Sequence, residues 1–319
     1  MKLELTIQNR DKTYIPIVAD GVKWSTDRRG SPGKLTFTVI KDGIIDFTEG
    51  NTVRLTAGGK NLFYGFVFTK KRDKQHQIDV TAYDQLRYLK NKDTCNYKNM
   101  TASDVIKMIA ANFRLNLGTV EQTEFVIANR NEDNASLFDI IYNALDLELT
   151  NTKKLYVLYD DFGELTLKSL ESTNIDLLID EETGENFDYS SSIDDSTYNK
   201  IKLSYDNKDT GLRDIYIAQS GQRMNDWGVL QFFDKLQDGE NGKAKADALL
   251  DLYNAKTRRL KITKAFGDVR VRAGCRLTVA LNLGDISVNN YMLVEKCVHT
   301  FNEGDHWMDL TLRGGEFAG

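Results

Sequence analysis

The sequence predicts a mostly β protein in which two copies of one β-domain flank a small α+β insert of two helices and a hairpin. The main observation is a strand signature that occurs twice, as HQIDVTA at 76–82 and as HWMDLTL at 306–312. Each copy is the second arm of a predicted hairpin, and each hairpin follows a further strand that begins after a glycine. Because three strands match in the same order, the sequence indicates an internal duplication. The first arms are 63–71 and 291–301, and the two glycines are Gly50 and Gly274.

The composition is that of an ordered protein with enough length for two or three separate cores. The 319 residues include 28% charged residues, 10% aromatic residues and two prolines, which excludes a disordered chain. We expect neither a signal peptide nor direct membrane insertion, because no apolar run approaches the length that spans a bilayer. The odd number of cysteines suits reduced thiols made in a cytoplasm, with Cys275 and Cys297 as buried free thiols.

The first predicted domain, 1–92, consists of strands in which apolar and polar residues alternate. Val80 points to one side of its strand, whereas Asp79 and Thr81 point to the other. One face is therefore buried and one is in contact with solvent, as in a small barrel or sandwich. The strands of this domain are predicted at 2–8, 22–26, 34–40, 53–57, 63–71 and 77–83.

The predicted insert, 93–185, contains the two helices and the hairpin. Thr101 and Asp104 form a capping box at the start of the first helix, and Ser136 begins the second helix. The hairpin turns just before Gly163, which we expect in the left-handed conformation.

The second predicted β-domain, 186–319, repeats the first with one added helix at 242–255. An acidic stretch at 176–195 overlaps its start and carries eight acidic side chains and no basic one. Such a stretch repels itself, so we expect a solvated boundary rather than a core element. A metal-binding acidic loop is the alternative.

The sequence supplies no catalytic, cofactor-binding or metal site that we can assign. Its three histidines do not have the spacing of a metal-binding or catalytic motif. We interpret His76 as structural, and His299 and His306 as a pair across the last hairpin turn, for which a shared metal is the alternative. Catalytic carboxylate pairs assemble in space rather than along the chain, so a glycosidase stays open.

Two basic runs, 70–74 and 258–264, lack the neighbouring aromatic residues of a site for single-stranded nucleic acid. We interpret them as solvated hairpin tips and partner contacts. No sequence-specific binding of nucleic acid is therefore predicted.

Several segments together resemble the baseplate hub proteins of contractile phage tails and phage-tail-like bacteriocins. The similarity covers nearly the whole chain and is greatest to the hubs of Gram-positive prophages. Its most specific part is the closing hairpin VEKCVHTFNEGDHWMDLTL at 294–312. The other segments are FYGFVFTKK and IDVTAYDQLRYLKNK within 63–92, AKADALLDLYNAKTRRLKI at 244–262 and FGDVRVRAGCRLTV at 266–279.

The resemblance implies two tail-tube-like β-barrel domains that flank the insert, and a structural protein without enzymatic activity or cofactor. It implies a homotrimer whose six barrels form a ring between the six-fold tail tube and the three-fold central spike. The implied partners are the tail tube protein, the spike protein, the baseplate wedge proteins and a tape-measure protein. The resemblance also implies that the protein is made in the bacterial cytoplasm and assembled into the baseplate of a phage tail or tail-like particle.

Two alternatives from other functional classes remain at this point. One is a tail-associated peptidoglycan hydrolase, which would need carboxylates placed at a cleft. The other is a carbohydrate-binding module for host recognition, which would need exposed aromatic residues on a concave face.

Overall fold

The structure, a computed structural model, describes residues 2–75, 77–194, 196–207, 210–236, 240–282 and 287–314. His76 lies outside these residues, so its predicted structural role stays a prediction. The helices of the described chain are α1 (Ala102–Asn112), α2 (Leu137–Thr152), α3 (Gly221–Trp227) and α4 (Gly242–Tyr253). The strands are β1 (Leu3–Asn9), β2 (Lys12–Tyr14), β3 (Ile17–Val18), β4 (Val22–Asp27), β5 (Lys34–Ile40), β6 (Thr52–Ala57), β7 (Lys60–Arg72), β8 (Gln77–Tyr83), β9 (Lys92–Met100), β10 (Leu117–Val120), β11 (Ile127–Ser136), β12 (Tyr156–Asp160), β13 (Leu165–Ser169), β14 (Asn174–Ile179), β15 (Asn186–Ser192), β16 (Lys200–Asp206), β17 (Arg213–Gln219), β18 (Gln231–Lys235), β19 (Thr257–Phe266), β20 (Arg276–Asn282), β21 (Ser287–Phe301) and β22 (His306–Gly314).

The prediction of a mostly β protein with large antiparallel sheets is confirmed. One sheet of fourteen strands runs through the described chain in the order β15-β19-β22-β21-β4-β5-β8-β7-β6-β1-β2, with β14, β20 and β3 attached beside this path. We call β1–β8 the first β region, and β14, β15 and β19–β22 the second β region. Closure of either region into a barrel stays a prediction.

The predicted duplication is present in the strand order. In the first β region, β4-β5-β8-β7-β6-β1 are neighbours, and in the second, β15-β19-β22-β21-β20-β14 take the same positions. Both predicted hairpins form, as β7 with β8 and as β21 with β22. The repetition ends at the sixth strand, since β1 pairs with β6 in antiparallel fashion and β14 pairs with β20 in parallel fashion.

The duplication also holds at the level of single residues. Val67 in β7 exchanges backbone hydrogen bonds with the glycine-led turn before β6, at 2.8 and 2.9 Å, and Val294 in β21 does the same before β20. Directly after each valine the pairing with the next strand shifts by one residue, at Phe68 and at Glu295. Residues 69–72 of β7 therefore correspond to residues 296–299 of β21.

Each β region has its own hydrophobic core, and the insert has another. A further core lies within residues 198–253, where α4 packs on β16 and β17. The insert begins as predicted from its caps, because Thr101 and Asp104 form the capping box and Ser136 caps α2. The division into 1–92, 93–185 and 186–319 as independent units stays a prediction.

The acidic stretch differs from its prediction as a solvated boundary. It contains β14 and β15, which pair with β20 and β19 of the second β region. Ile179 is fully buried in that core, and Tyr189 packs against it. The alternating apolar residues between the carboxylates supply this buried face, which counting charges did not reveal.

Cutting a buried side chain at matched positions of the two β regions should destabilise both. Val80 and Leu310 are each 2% exposed in their respective cores. Val80→Ala and Leu310→Ala should each lower the free energy of unfolding by about 2 to 4 kcal/mol, through lost burial and the remaining cavity. Chemical denaturation measures this loss.

Thr81→Ala and Thr311→Ala are the matched controls, because these threonines lie on the opposite side of the same strands and are half-buried. They should cost less than the valine and leucine changes. Equal losses for all four variants would contradict the assigned faces.

Candidate assembly interface

The two β regions are joined by strand pairing between β4 and β21. The first half of β21 pairs with β20, and after the shift at Glu295 its second half pairs with β4 along the same edge. The register runs antiparallel from Lys296 opposite Asp27 to Phe301 opposite Val22. One strand thus serves two neighbours, and the sheet continues from one β region into the other.

Polar contacts fix the start of this junction. Arg28 donates from its backbone N–H to the carbonyl of Glu295 at 2.9 Å, and from Nε to the Glu295 carboxylate at 2.8 Å. Both side chains are largely shielded, so the pair is screened less by solvent than a surface ion pair. The hydroxyl of Thr26 accepts a hydrogen bond from Ala273 N at 2.9 Å. These contacts hold β4 in register on β21.

Stacked rings fill the far end of the junction. Trp24 from β4 stacks on His299 from β21 with ring centroids 4.9 Å apart, and Phe301 stacks on His306 at 4.3 Å. His299 is fully buried between these rings. The layered rings therefore bury the inner face where the two β regions meet.

The hydrogen bonds of the two histidines define their tautomers. His299 Nε2 lies 2.8 Å from the carbonyl of Val271 and must donate to it, so His299 Nδ1 accepts a hydrogen bond from His306 Nε2 at 2.9 Å. Burial lowers the pKa of each histidine to about 4, although the carboxylate of Asp268 acts in the opposite direction. Both imidazoles are therefore neutral at pH 7. The predicted pairing across the last turn is confirmed.

A buried polar cluster lies where the first β region, the insert and the second β region meet. Asp84 accepts hydrogen bonds from Gly33 N at 2.8 Å and Leu86 N at 3.0 Å, while the Arg272 guanidinium stacks on the ring of Tyr159. A cavity of about 20 Å³ between these groups has room for one water molecule.

Burial shifts the pKa values of the ionisable groups in this cluster. It raises the pKa of Asp84 well above its usual range, and it raises the pKa of Asp160 to about 6. Burial also lowers the pKa of Arg272. Sequence reasoning missed these residues, because they belong to three separate segments that meet only after folding.

The cysteines and the glycine that the sequence analysis named lie in the core and in a turn. Cys275 and Cys297 are buried free thiols, as predicted, and burial raises the pKa of Cys275 to about 11. Gly163 adopts the left-handed conformation in the turn between β12 and β13, as predicted. Within the described ranges, no group of three or more histidine, cysteine, aspartate or glutamate side chains could hold a metal ion. No described helix is both long and apolar enough to span a bilayer.

Comparison with known proteins identifies the family. Residues 22–313 match the YQBQ-like family. The chain belongs to the YQBQ-like family. One relative in this comparison is the phage-like element PBSX protein XkdQ of Bacillus subtilis (strain 168), which is 28% identical over 94% of both chains.

Solved structures of phage tail and related proteins have a similar fold. The 43 kDa tail protein of prophage MuSo2 from Shewanella oneidensis matches with a TM-score of 0.72 and 11% identity, over 97% of this chain and 98% of that one. The E. coli protein c3393, a type VI secretion component described as similar to the T4 tail proteins gp27 and gp5, matches with a TM-score of 0.58 and 10% identity, over 100% of this chain and 78% of that one. The resemblance of this YQBQ-like chain to phage tail and baseplate proteins is confirmed.

The neutral histidine pair should make the stability of this YQBQ-like protein sensitive to acid. Between about pH 4 and pH 6.5 an unfolded histidine binds a proton that folded His299 and His306 do not bind. Their contribution to the free energy of unfolding should therefore fall as the pH drops through this window. Chemical denaturation at pH 7.5 and at pH 4.5 measures the loss.

The control is the double variant His299→Gln/His306→Gln, which keeps amide donors but removes both titrating groups. Because Asp160 binds its proton more tightly in the folded state and so acts in the opposite sense, the difference between wild type and variant is the relevant quantity. An unchanged pH dependence in the variant would refute the assignment.

Proposed function

We propose that this protein is the structural hub of a phage-type baseplate, a homotrimer that joins the six-fold tail tube to the three-fold central spike. The observation that carries the proposal is the pairing of β4 with the second half of β21. It joins one of two equivalent pairs of strand edges. Within the described chain, the other pair stays apart, with β15 at one end of the fourteen-stranded sheet and the outer end of β7 beyond its pairing with β6. An interface of unlike edges is head-to-tail, and such interfaces build closed rings when the rotation closes.

The number of copies follows from the duplication. Two similar β regions per chain give six similar positions around a ring of three chains, while the remaining segments repeat only three times. Such a trimer can contact a six-fold tube on one side and a three-fold spike on the other. This assignment is favoured by the similarity of the chain to a phage-like element protein, to a prophage tail protein and to a type VI secretion component described as similar to gp27 and gp5.

Particle images test the copy number. Cryo-electron microscopy of tails that contain this protein should resolve three copies between the tube and the spike, with the two β regions of each copy alternating around one ring. One copy or six copies per tail end would refute the proposal. The same images would show whether the basic runs at 70–74 and 258–264 point away from the channel or are neutralised by partners. We expect one of these arrangements if DNA or a tape-measure protein passes through the channel.

We propose no catalytic role for this chain. The purified protein should therefore leave cell walls intact in a clearing assay, alone and within the trimer. Lysis by the chain itself would favour the alternative of a peptidoglycan hydrolase. Binding of glycans by a monomer would favour the carbohydrate-recognition alternative.

A further inference from the structure

We propose that the outer end of β7 in one copy pairs with β15 of a second copy, in the same register that joins β21 to β4 within one chain. This inference rests on the ring proposed above and adds the residues that would join its subunits. It gives a shared role to two sequence features, the basic run at 70–74 and the acidic stretch at 176–195.

The donor edge follows from the duplication. Residues 69–72 of β7 correspond to residues 296–299 of β21, which are the residues that pair with β4. On the side away from β8, β7 pairs with β6 only as far as Phe66, and its last ladder bonds there are those of Val67. Within the described chain, no backbone hydrogen bond continues this edge through 69–72.

The acceptor edge follows in the same way. Trp24 of β4 lies opposite Leu35 of β5, and Tyr189 of β15 lies opposite Leu260 of β19. The segment VKWSTD at 22–27 therefore corresponds to FDYSSS at 187–192. Among the described strands, β15 pairs only with β19 and forms one end of the fourteen-stranded sheet. Its second edge is thus available to another copy.

Transfer of the register aligns four residues on each strand. Arg72 takes the place of His299 and Tyr189 takes the place of Trp24, so the guanidinium would lie over the partner's ring, a favourable contact of a cation with an aromatic face. Ser191 takes the place of Thr26 and keeps a hydroxyl at this position. The proposed pairs are Thr69 with Ser192, Lys70 with Ser191, Lys71 with Ser190 and Arg72 with Tyr189.

The residues at the start of the two junctions, the one within the chain and the proposed one between copies, also form matched pairs. Inside the chain, Arg28 and Glu295 form the ion pair there. The corresponding positions of the proposed junction are Ile193 and Phe68, both half-buried in the single copy. The two charged residues are thus replaced together by two apolar residues. Replacing both charged residues gives two apolar side chains that can pack together. Replacing only one of them would leave a shielded charge without its partner.

The charges around the two edges also match. Lys71, Arg72 and Lys74 are exposed at the end of the first hairpin. Asp188 and Asp194 are exposed on and beside β15, in a stretch that contains no basic residue. Opposite charges on two surfaces favour their encounter and the correct orientation. The main-chain pairing would then follow the mode in which a strand is added to an open sheet edge.

Cysteine cross-linking in assembled tails tests the register. The full-length protein with Cys95→Ser as background would carry either Lys71→Cys with Ser190→Cys or Lys70→Cys with Ser191→Cys. Neighbouring cross-strand pairs alternate between the two ladder geometries, so one of these two pairs has the closer spacing that suits a disulfide. Mild oxidation should convert the protein into covalent dimers and trimers on a non-reducing gel.

The matched control combines Lys71→Cys with Ser192→Cys, which is displaced by two residues and should give little covalent product. Single-cysteine variants should remain monomers on the gel. A three-copy ring without cross-links at either proposed pair, or with more product from the displaced pair, would overturn this inference and leave the hub proposal intact. Tails with one or six copies would remove the hub proposal itself.

A charge reversal provides a second measurement that does not depend on oxidation. Lys71→Glu/Arg72→Glu should reduce the fraction of protein in the ring. Added salt should raise that fraction in the variant, because salt screens the new repulsion from the carboxylates of β15. Lys98→Glu changes an exposed lysine of the insert and is the control. An unchanged ring fraction for the double variant, with the fold intact by circular dichroism, would contradict the proposed surface.

Discussion

The architecture depends on one strand that serves two partners. β21 pairs with β20 over its first half and with β4 over its second half, while β22 lines its other edge from Leu293 to Phe301. The shift at Glu295 makes this change of partner possible, because it re-aims the strand at the point where β20 ends. Without it, the two β regions would be separate sheets connected only by the insert. With it, one continuous sheet joins the two regions.

The buried groups at the junction explain why it is specific. Strand edges can pair with many other edges, and proteins must restrict that choice. Here the Arg28 and Glu295 pair fixes one end of the ladder, and the rings around His299 fix the other. A slip of one residue would expose Trp24 and bury a polar neighbour, since adjacent residues point to opposite faces. The histidines are therefore structural parts of the register rather than candidates for chemistry.

The sequence predicted what depends on local pattern and missed what depends on distant contacts. The hairpins, the burial of Val80 and Leu310, the helix caps and the turn at Gly163 all follow from alternation or capping within a few residues. The strands β14 and β15 were missed because their acidic residues obscure a short apolar alternation. The pairing of β4 with β21, and the cluster of Asp84, Asp160 and Arg272, could not be predicted. They join distant segments of the chain that carry no mutual signal in one sequence.

The duplication is imperfect, and its imperfections would let a ring of three chains present both six-fold and three-fold sets of surfaces. The hairpin strands and their register repeat residue for residue, so surfaces built from them would recur six times in a ring of three chains. The sixth strand pairs in opposite directions in the two regions, at β1 and at β14. The core at 198–253 is formed by residues between β15 and β19, whereas only a short connection separates the corresponding strands β4 and β5. Surfaces built from these parts would recur only three times. A ring of three identical chains can thus offer six similar surfaces and three distinct ones. The three distinct surfaces arise from the differences between the first and second β regions of each chain.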